Sequence, residues 1–414
     1  MKTIIIYAIV VVANCSLFIE HCAAQTLEEY FQIAAENNPE LKAKYKRAEA
    51  AMEKIPQVSA LQDPTFSFGY FISPVETRVG PQRAKFSLTQ MFPWFGTLKA
   101  QGNVAALNAE VQFQEFIDAK NKLYYRVAAA YYPLLELYQI QALEEENLEI
   151  LETLKTIANA KYENGKGTMV DLLRVDMMID EVKTNLHILE SKKKPLKTTF
   201  NKLLNRDDNE AITIPSEVPS IQPQSLEESD SLFAEHPLME QLDLQIKASE
   251  ARVLAVKKQG LPKIGVGLDY VLVGERTDMA VSDNGKDVLM PMVTMSIPIF
   301  RKKYKAAEKE AFLMRDAYAF QKEALDNQLT SQYENALFKL EQQSELIELY
   351  DQQTQRTDQS MRLILKAYQN TGKDFEEVLR MQQQLLKYQK LNIKAHVEYH
   401  IAVEEINYIT SKHK

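Results

Sequence analysis

The chain carries one plan twice, and this limits its fold more than any other feature. Thr26-Leu27-Glu28-Glu29 returns as Ser225-Leu226-Glu227-Glu228, and Asn38-Pro39 returns as His236-Pro237. Pro64-Thr65-Phe66-Ser67-Phe68-Gly69 returns as Pro262-Lys263-Ile264-Gly265-Val266-Gly267, and Phe92-Pro93-Trp94-Phe95 as Ile297-Pro298-Ile299-Phe300. Tyr162-Glu163-Asn164-Gly165 returns as Tyr368-Gln369-Asn370-Thr371, with Leu173-Arg174 matching Leu379-Arg380. Five anchors keep one order at a spacing of about 200 residues, which reads as an internal duplication. The halves are 25–204 and 225–414. Between them, 205–224 holds Pro215, Pro219 and Pro223 and reads as a connector.

Glycine marks the elements within each half. None of the 12 occurs in 103–164, 168–259 or 286–371, as expected of long uninterrupted helices. The plan predicted for each half is a first helix (26–57 and 225–259), then two strands (64–73 with 84–93, and 262–273 with 288–298). A very long helix follows (94–163 and 299–369), then a turn and a return helix (168–204 and 374–412). Gly165, Gly167 and Gly372 stand where a helix must stop and reverse.

The predicted strands alternate. Phe66, Phe68, Tyr70 and Ile72 share one face, as do Ile264, Val266, Leu268, Tyr270 and Leu272, while Ser67, Gly69, Lys263, Gly265, Gly267 and Asp269 share the other. Such alternation fits a membrane β-barrel and, equally, a half-buried soluble sheet. The aromatic residues Phe92, Trp94, Phe95 and Phe300 at the strand ends suit a membrane interface. Four strands cannot close a barrel, and an open edge in lipid is prohibitive, so a membrane reading requires several copies. Two copies supply eight strands and a filled barrel; three supply 12 and room for a lumen.

A helix of about 70 residues is about 105 Å long. The stretch 351–360, DQQTQRTDQS, has no apolar side chain, and the neighbouring apolar stripes are narrow. A narrow seam suits the wall of a hollow cylinder as well as an ordinary coiled coil.

Export is written into the N-terminus. Lys2, an apolar run from Ile4 to Val12 and Cys22-Ala23-Ala24 before Gln25 form a signal peptide over 1–24. Both cysteines, Cys15 and Cys22, leave with it, which rules out disulfides and thiolate metal sites in the mature chain. The net charge of −8 argues against nucleic-acid binding.

Taken together, these residues resemble the TolC family of outer membrane efflux proteins, over the whole mature chain. The family's helix-turn motif stands here as Tyr162-Glu163-Asn164-Gly165 with Asp171-Leu172-Leu173, and as Tyr368 and Gly372 with Glu377-Val378-Leu379. Phe92-Pro93-Trp94-Phe95-Gly96 is most similar to the heavy-metal-efflux branch that includes CusC and CzcC. The resemblance implies an α+β membrane protein: a homotrimer with a 12-stranded β-barrel in outer membrane lipid, continuous with a long α-helical barrel in the Gram-negative periplasm. It implies an exit duct for small molecules or metal ions, served by a periplasmic adaptor and an inner-membrane pump of the RND class or a similar exporter. The two turns would dock the adaptor, through Asn164, Gly165, Lys166, Gly167 and Thr168 and through Asn370, Thr371, Gly372 and Lys373. Acidic residues just past the turns, Asp171 and Glu377, would form the gate, with Arg174 and Arg380 beside them. Alternatives are a type I secretion duct of the same fold and a soluble periplasmic coiled-coil scaffold or adaptor.

Enzyme chemistry is not legible: there is no phosphate loop and no nucleophile elbow. No catalytic residue, cofactor or metal site is expected. His396 and His400 stand at i, i+4, but without the Glu that a zinc protease places after its first His. Met279, Met290, Met292 and Met295 near the second strand pair read as packing rather than soft-metal ligands. The acidic stretch 274–287 reads as an exposed extracellular loop.

Overall fold

The computed structural model describes residues 26–215, 218–219, 221, 232–371 and 375–412. The expected signal peptide, part of the connector, and Gly372 and Lys373 lie outside the described residues. The elements run α1 (Leu27–Asn37), α2 (Pro39–Met52), α3 (Lys54–Ser59), β1 (Thr65–Thr77), β2 (Gly80–Phe92), α4 (Thr97–Glu163), α5 (Met169–Leu203), α6 (Pro237–Gln259), β3 (Lys263–Val273), β4 (Val288–Ser296), α7 (Lys302–Thr371) and α8 (Phe375–Ile409).

The recurring Asn38-Pro39 and His236-Pro237 pairs have a physical cause. Each places a side-chain acceptor at a helix N-cap, with proline at the first helical position, where its missing N–H costs nothing. The Asn38 Oδ1 accepts from the backbone N–H of Glu40 (2.9 Å) and Leu41 (3.1 Å). The His236 Nδ1 accepts from Leu238 N–H at 3.2 Å. In the first half this cap splits the single helix expected over 26–57, and a second break at Glu53 completes three pieces. In the second half 232–236 are turn and cap, so α6 begins at Pro237, well inside the 225–259 helix expected.

The chain divides into two compact units, each drawn from both sequence halves. One comprises the described residues to Lys42, from Lys120 to Leu232, and from Thr330 onward. It is helical. Tyr30, Tyr131 and Phe200 pack into a buried aromatic cluster, with Tyr30 and Phe200 edge to face at 5.0 Å. The connector is tied onto this cluster: Thr213 N–H donates to the Tyr30 hydroxyl at 2.8 Å, and Arg206 lies 5.3 Å over the Tyr30 ring. His400 stacks on Tyr132 at 5.2 Å, and its Nε2 meets the Pro219 carbonyl at 2.9 Å. A polar layer crosses the helices, with Glu144 almost fully buried against Lys390, and Gln382 donating to Asn147 at 2.9 Å.

Pro133 lies within α4 and Pro195 within α5, yet both helices run on. Around Pro133 the buried Tyr131, Tyr132, Leu134 and Leu135 offset the cost of an interior proline, of order 3 kcal/mol.

The other unit comprises Ala43–Ala119 and Phe233–Leu329. Its centre is one antiparallel sheet of order β1-β2-β3-β4. β1 and β2 are 13 residues each and meet in a tight hairpin, Thr77 opposite Gly80, where strands ending at 73 and starting at 84 were expected. The extra length accommodates a register shift between Tyr70 and Val75, next to Pro74, which has no N–H to give to the ladder. Gly80 has φ +129° and lies so close to the Gly274 carbonyl oxygen that a Cβ would stand 1.9 Å from it. Only glycine fits there. The loop 274–287 folds over this turn: the Arg276 guanidinium donates to the carbonyls of Thr77 and Arg78, each at 3.3 Å, and pairs with Asp278.

Candidate functional site

The sheet has two unlike faces. Phe66, Phe68, Tyr70 and Ile72 of β1 are 59–92% exposed, and Leu88, Val266, Leu268, Tyr270, Leu289, Val293 and Met295 continue the same face across the other strands. Phe68 and Phe86 stand 5.1 Å apart, and Phe86 and Tyr270 6.5 Å, forming an aromatic band over three strands. The opposite face carries Ser67, Ser87, Asp269 and Met290 in one row and Thr89, Gly267 and Met292 in the next. Its one carboxylate in these rows, Asp269, is fully buried and paired with Lys85 at 2.5 Å. An exposed apolar face this wide is intolerable in water and suited to lipid, while a polar inner face suits a water-filled lumen. The four methionines do not converge: Met290 and Met292 lie on the polar face, Met295 on the apolar one and Met279 in the loop.

β1 and β4 are the sheet edges, each with one side of its backbone unpaired within the chain. Pro291 is accommodated in β4 because an edge strand can do without one ladder donor.

The helix turns lie in the helical unit. After α4 the chain reverses through Asn164, Gly165, Lys166, Gly167 and Thr168. Gly165 has φ +67°; its N–H donates to Tyr162 O (2.9 Å) and that of Lys166 to Lys161 O (2.8 Å). This is the paired-bond helix stop that needs a left-handed residue. Thr168 then caps α5: its hydroxyl accepts from Asp171 N–H at 3.2 Å, and the Asp171 carboxylate accepts from Thr168 N–H at 3.1 Å. Asp171 thus secures the start of its own helix.

At the second turn, Asn370 and Thr371 end α7. Lys161 of α4 donates to the Gln369 carbonyl at 2.6 Å, placing a cation at the negative end of α7. Behind both turns Leu154, Ala158, Leu172, Val175, Tyr368, Phe375, Val378 and Leu379 form a core contributed by all four helices. The equivalent tyrosines of the repeat differ here: Tyr162 is 45% exposed and Tyr368 1%. The Tyr368 hydroxyl has no hydrogen-bond partner among the described residues, and burial with the nearby Asp171 charge raises its pKa.

The remaining gate candidates pair off. Arg380 forks onto Glu377 within α8, at 2.5 and 2.9 Å, and holds that carboxyl below its usual range. Arg174 of α5 crosses to Glu376 of α8 at 2.7 Å. Glu376 stands opposite Val170 in the repeat, so the comparison of the two halves passed over it. His400 is occupied with the Pro219 carbonyl, and no group of three or more metal-ligating side chains occurs among the described residues. No described helix is long and apolar enough to cross a membrane.

An open-edged, two-faced sheet of four strands and a set of very long helices is the fold that the comparisons with known proteins also find. Residues 31–194 match the model of the outer membrane efflux protein family. The outer membrane efflux protein BepC of Brucella suis biovar 1 (strain 1330) is 23% identical over 302 residues, covering 70% of this chain and 65% of that one. The chain therefore spans about two thirds of the length of that relative. The outer membrane protein VceC of Vibrio cholerae superposes with a TM-score of 0.74 at 15% identity, over 93% of this chain and 95% of that one. CusC, whose structures trace formation of a transmembrane channel, gives 0.76 at 14%, over 93% and 91%. Scores this similar do not single out the CusC branch.

The chain thus shares its fold with solved outer membrane channels, and its residues 31–194 match the outer membrane efflux protein family model. The fold class expected from the sequence is found in the chain itself, four strands together with very long helices, and it is consistent with assembly into a trimeric barrel.

Proposed function

We propose that this chain is one subunit of a homotrimeric exit duct in a tripartite efflux system. The observation that carries the reading is the sheet: an apolar outer face, a polar inner face, and two edges that only further copies can pair. Nothing in this reading requires bonds to be made or broken. A signal peptide over 1–24 delivers the chain for assembly, and duplication of an ancestral half accounts for the repeated plan.

The turns at 164–168 and 370–373 dock a periplasmic adaptor, which brings in an inner-membrane pump of the RND class or a similar exporter. Asp171, Arg174, Glu377 and Arg380 belong to the gate. In support, Arg174 joins α5 to α8 just past both turns, where a small shift of either helix breaks the contact. The test is migration and conductance: the purified protein in detergent is expected to run as a heat-modifiable trimer and to conduct in a planar bilayer. Monomeric migration with no conductance refutes the duct and returns the chain to the scaffold reading. A secretion duct of the same fold is the second reading; it is favoured if deletion of the gene blocks export of a protein and leaves small-molecule tolerance intact.

A further inference from the structure

A cavity of about 1150 Å³ lies wholly within the sheet-bearing unit. Its walls come from α3, the first turns of α4, α6, the base of β3 and the start of α7. Lys263 fixes which side of the sheet it faces. That residue belongs to the row of β3 that includes Gly265, Gly267 and Asp269, so the cavity opens on the polar face and away from the aromatic band.

The chemistry of the walls is one-sided. Five cations line the cavity, Lys54, Arg252, Lys258, Lys263 and Lys303, together with seven amide side chains. No Asp or Glu lines it among the described residues, in a chain whose net charge is −8. Nor does any of the five form a salt bridge among the described residues. Lys54 donates only to Gln57, at 3.2 Å, and Lys303 lies 4.9 Å over the Tyr304 ring. Neighbouring lysines outside the cavity behave differently: Lys257 pairs with Glu308 at 3.1 Å. Acidic residues are therefore available nearby and are kept out of the cavity.

Unpaired cations repel one another, at a cost that rises as water is excluded. Five in one cavity with no carboxylate make a positive potential that a concave wall concentrates. Amides add donors that orient an anion without neutralising the field. A duct for metal cations needs the opposite sign on its wall.

We propose that this cavity is a binding station for anionic cargo, so that the duct serves organic anions or oxyanions rather than metal cations. The proposal rests on the exit-duct reading and names its substrate class.

The test uses the full-length trimer in detergent, titrated calorimetrically with tripolyphosphate as probe, at low and at physiological salt. The comparison is the triple variant Arg252→Gln, Lys258→Gln, Lys303→Gln, whose sites are solvent-accessible. The wild type binds the probe saturably, more weakly as salt rises, and the triple variant loses roughly ten-fold in affinity. Lys257→Gln, outside the cavity, binds as the wild type does. Binding that is absent, or equal in the triple variant, overturns the proposal, as does a Lys257→Gln loss as large as the triple variant's. Copper or zinc chloride in place of tripolyphosphate gives no saturable binding that the triple variant strengthens; if it does, the cargo is cationic and the proposal fails. Trimer migration and bilayer conductance of the same samples report separately on the duct, so loss of anion binding in a conducting trimer sinks the substrate class alone. A misfolded triple variant is replaced by the single change Arg252→Gln, read in the same titration.

Discussion

Arg174 donates to Glu376 across 2.7 Å, and so joins the helix leaving the first turn to the helix leaving the second. Both side chains are substantially exposed, so the pair contributes less than about 1 kcal/mol to stability. Its consequence is geometric. Arg174→Ala and Glu376→Gln each raise single-channel conductance or open probability in a bilayer while leaving the melting temperature within about 2 °C. The exchanged pair Arg174→Glu with Glu376→Arg returns toward wild-type conductance. Unchanged conductance in both single variants removes this contact from the proposed gate.

Gly165 tests whether the sharp stop of α4 matters. No atom crowds a Cβ there, so only the positive φ resists substitution. Gly165→Ala costs about 1 kcal/mol, and Gly165→Asn less, because asparagine tolerates the left-handed region. Urea titration of the two variants should rank them in that order; equal stability in all three proteins contradicts the helix-stop geometry.

The apolar face predicts a directional effect of charge. Val293→Arg places a guanidinium on the lipid side, at a cost of about 2–4 kcal/mol in a mid-membrane position. Ser67→Lys, on the polar face, is tolerated. Yield of heat-modifiable protein in the outer membrane fraction falls for the first and holds for the second. The reverse ranking assigns the faces the other way round.

His236 predicts a pH dependence. It caps α6 from a buried position, and burial lowers its pKa from 6.5 to about 4. The unfolded chain takes up the proton near pH 6.5 and the folded chain only near pH 4, so the folded state gains nothing from acid. The stabilising contribution is complete above pH 6.5 and is lost as pH falls toward 4. The loss amounts to roughly 3 kcal/mol across that window. His236→Asn keeps a cap acceptor and removes the titration, so its urea midpoint flattens between pH 4 and 6.5 relative to the wild type.

Much of this architecture was legible because the repeated residues are those with a backbone duty. Asn38 and His236 cap helices, Pro39 and Pro237 start them, and Gly165 ends one; each duty demands a narrow set of side chains, so the pattern survives divergence. The strands were legible through period-two alternation, but not their full length, since the shift beside Pro74 disrupts that period. The breaks at Asn38 and Glu53 were hidden by good helix formers on both sides. Pro133 and Pro195 carried no readable sign that their helices would run on through them. At the turns, spacing brought forward Asp171 and Glu377, yet a carboxylate's partner depends on what folds beside it. Asp171 is engaged by its own N-cap, and the contact between α5 and α8 belongs to Glu376.

The unpaired edges of β1 and β4 also bear on inheritance. A barrel closed by identical copies needs every seam, so one subunit with a spoiled edge disables its two sound neighbours. In a cell making equal amounts of both kinds, about one trimer in eight would be free of the defect by random mixing. A lesion in β1 would therefore act as a dominant one, whereas a lesion that unfolds the chain before assembly would be silent beside a normal copy.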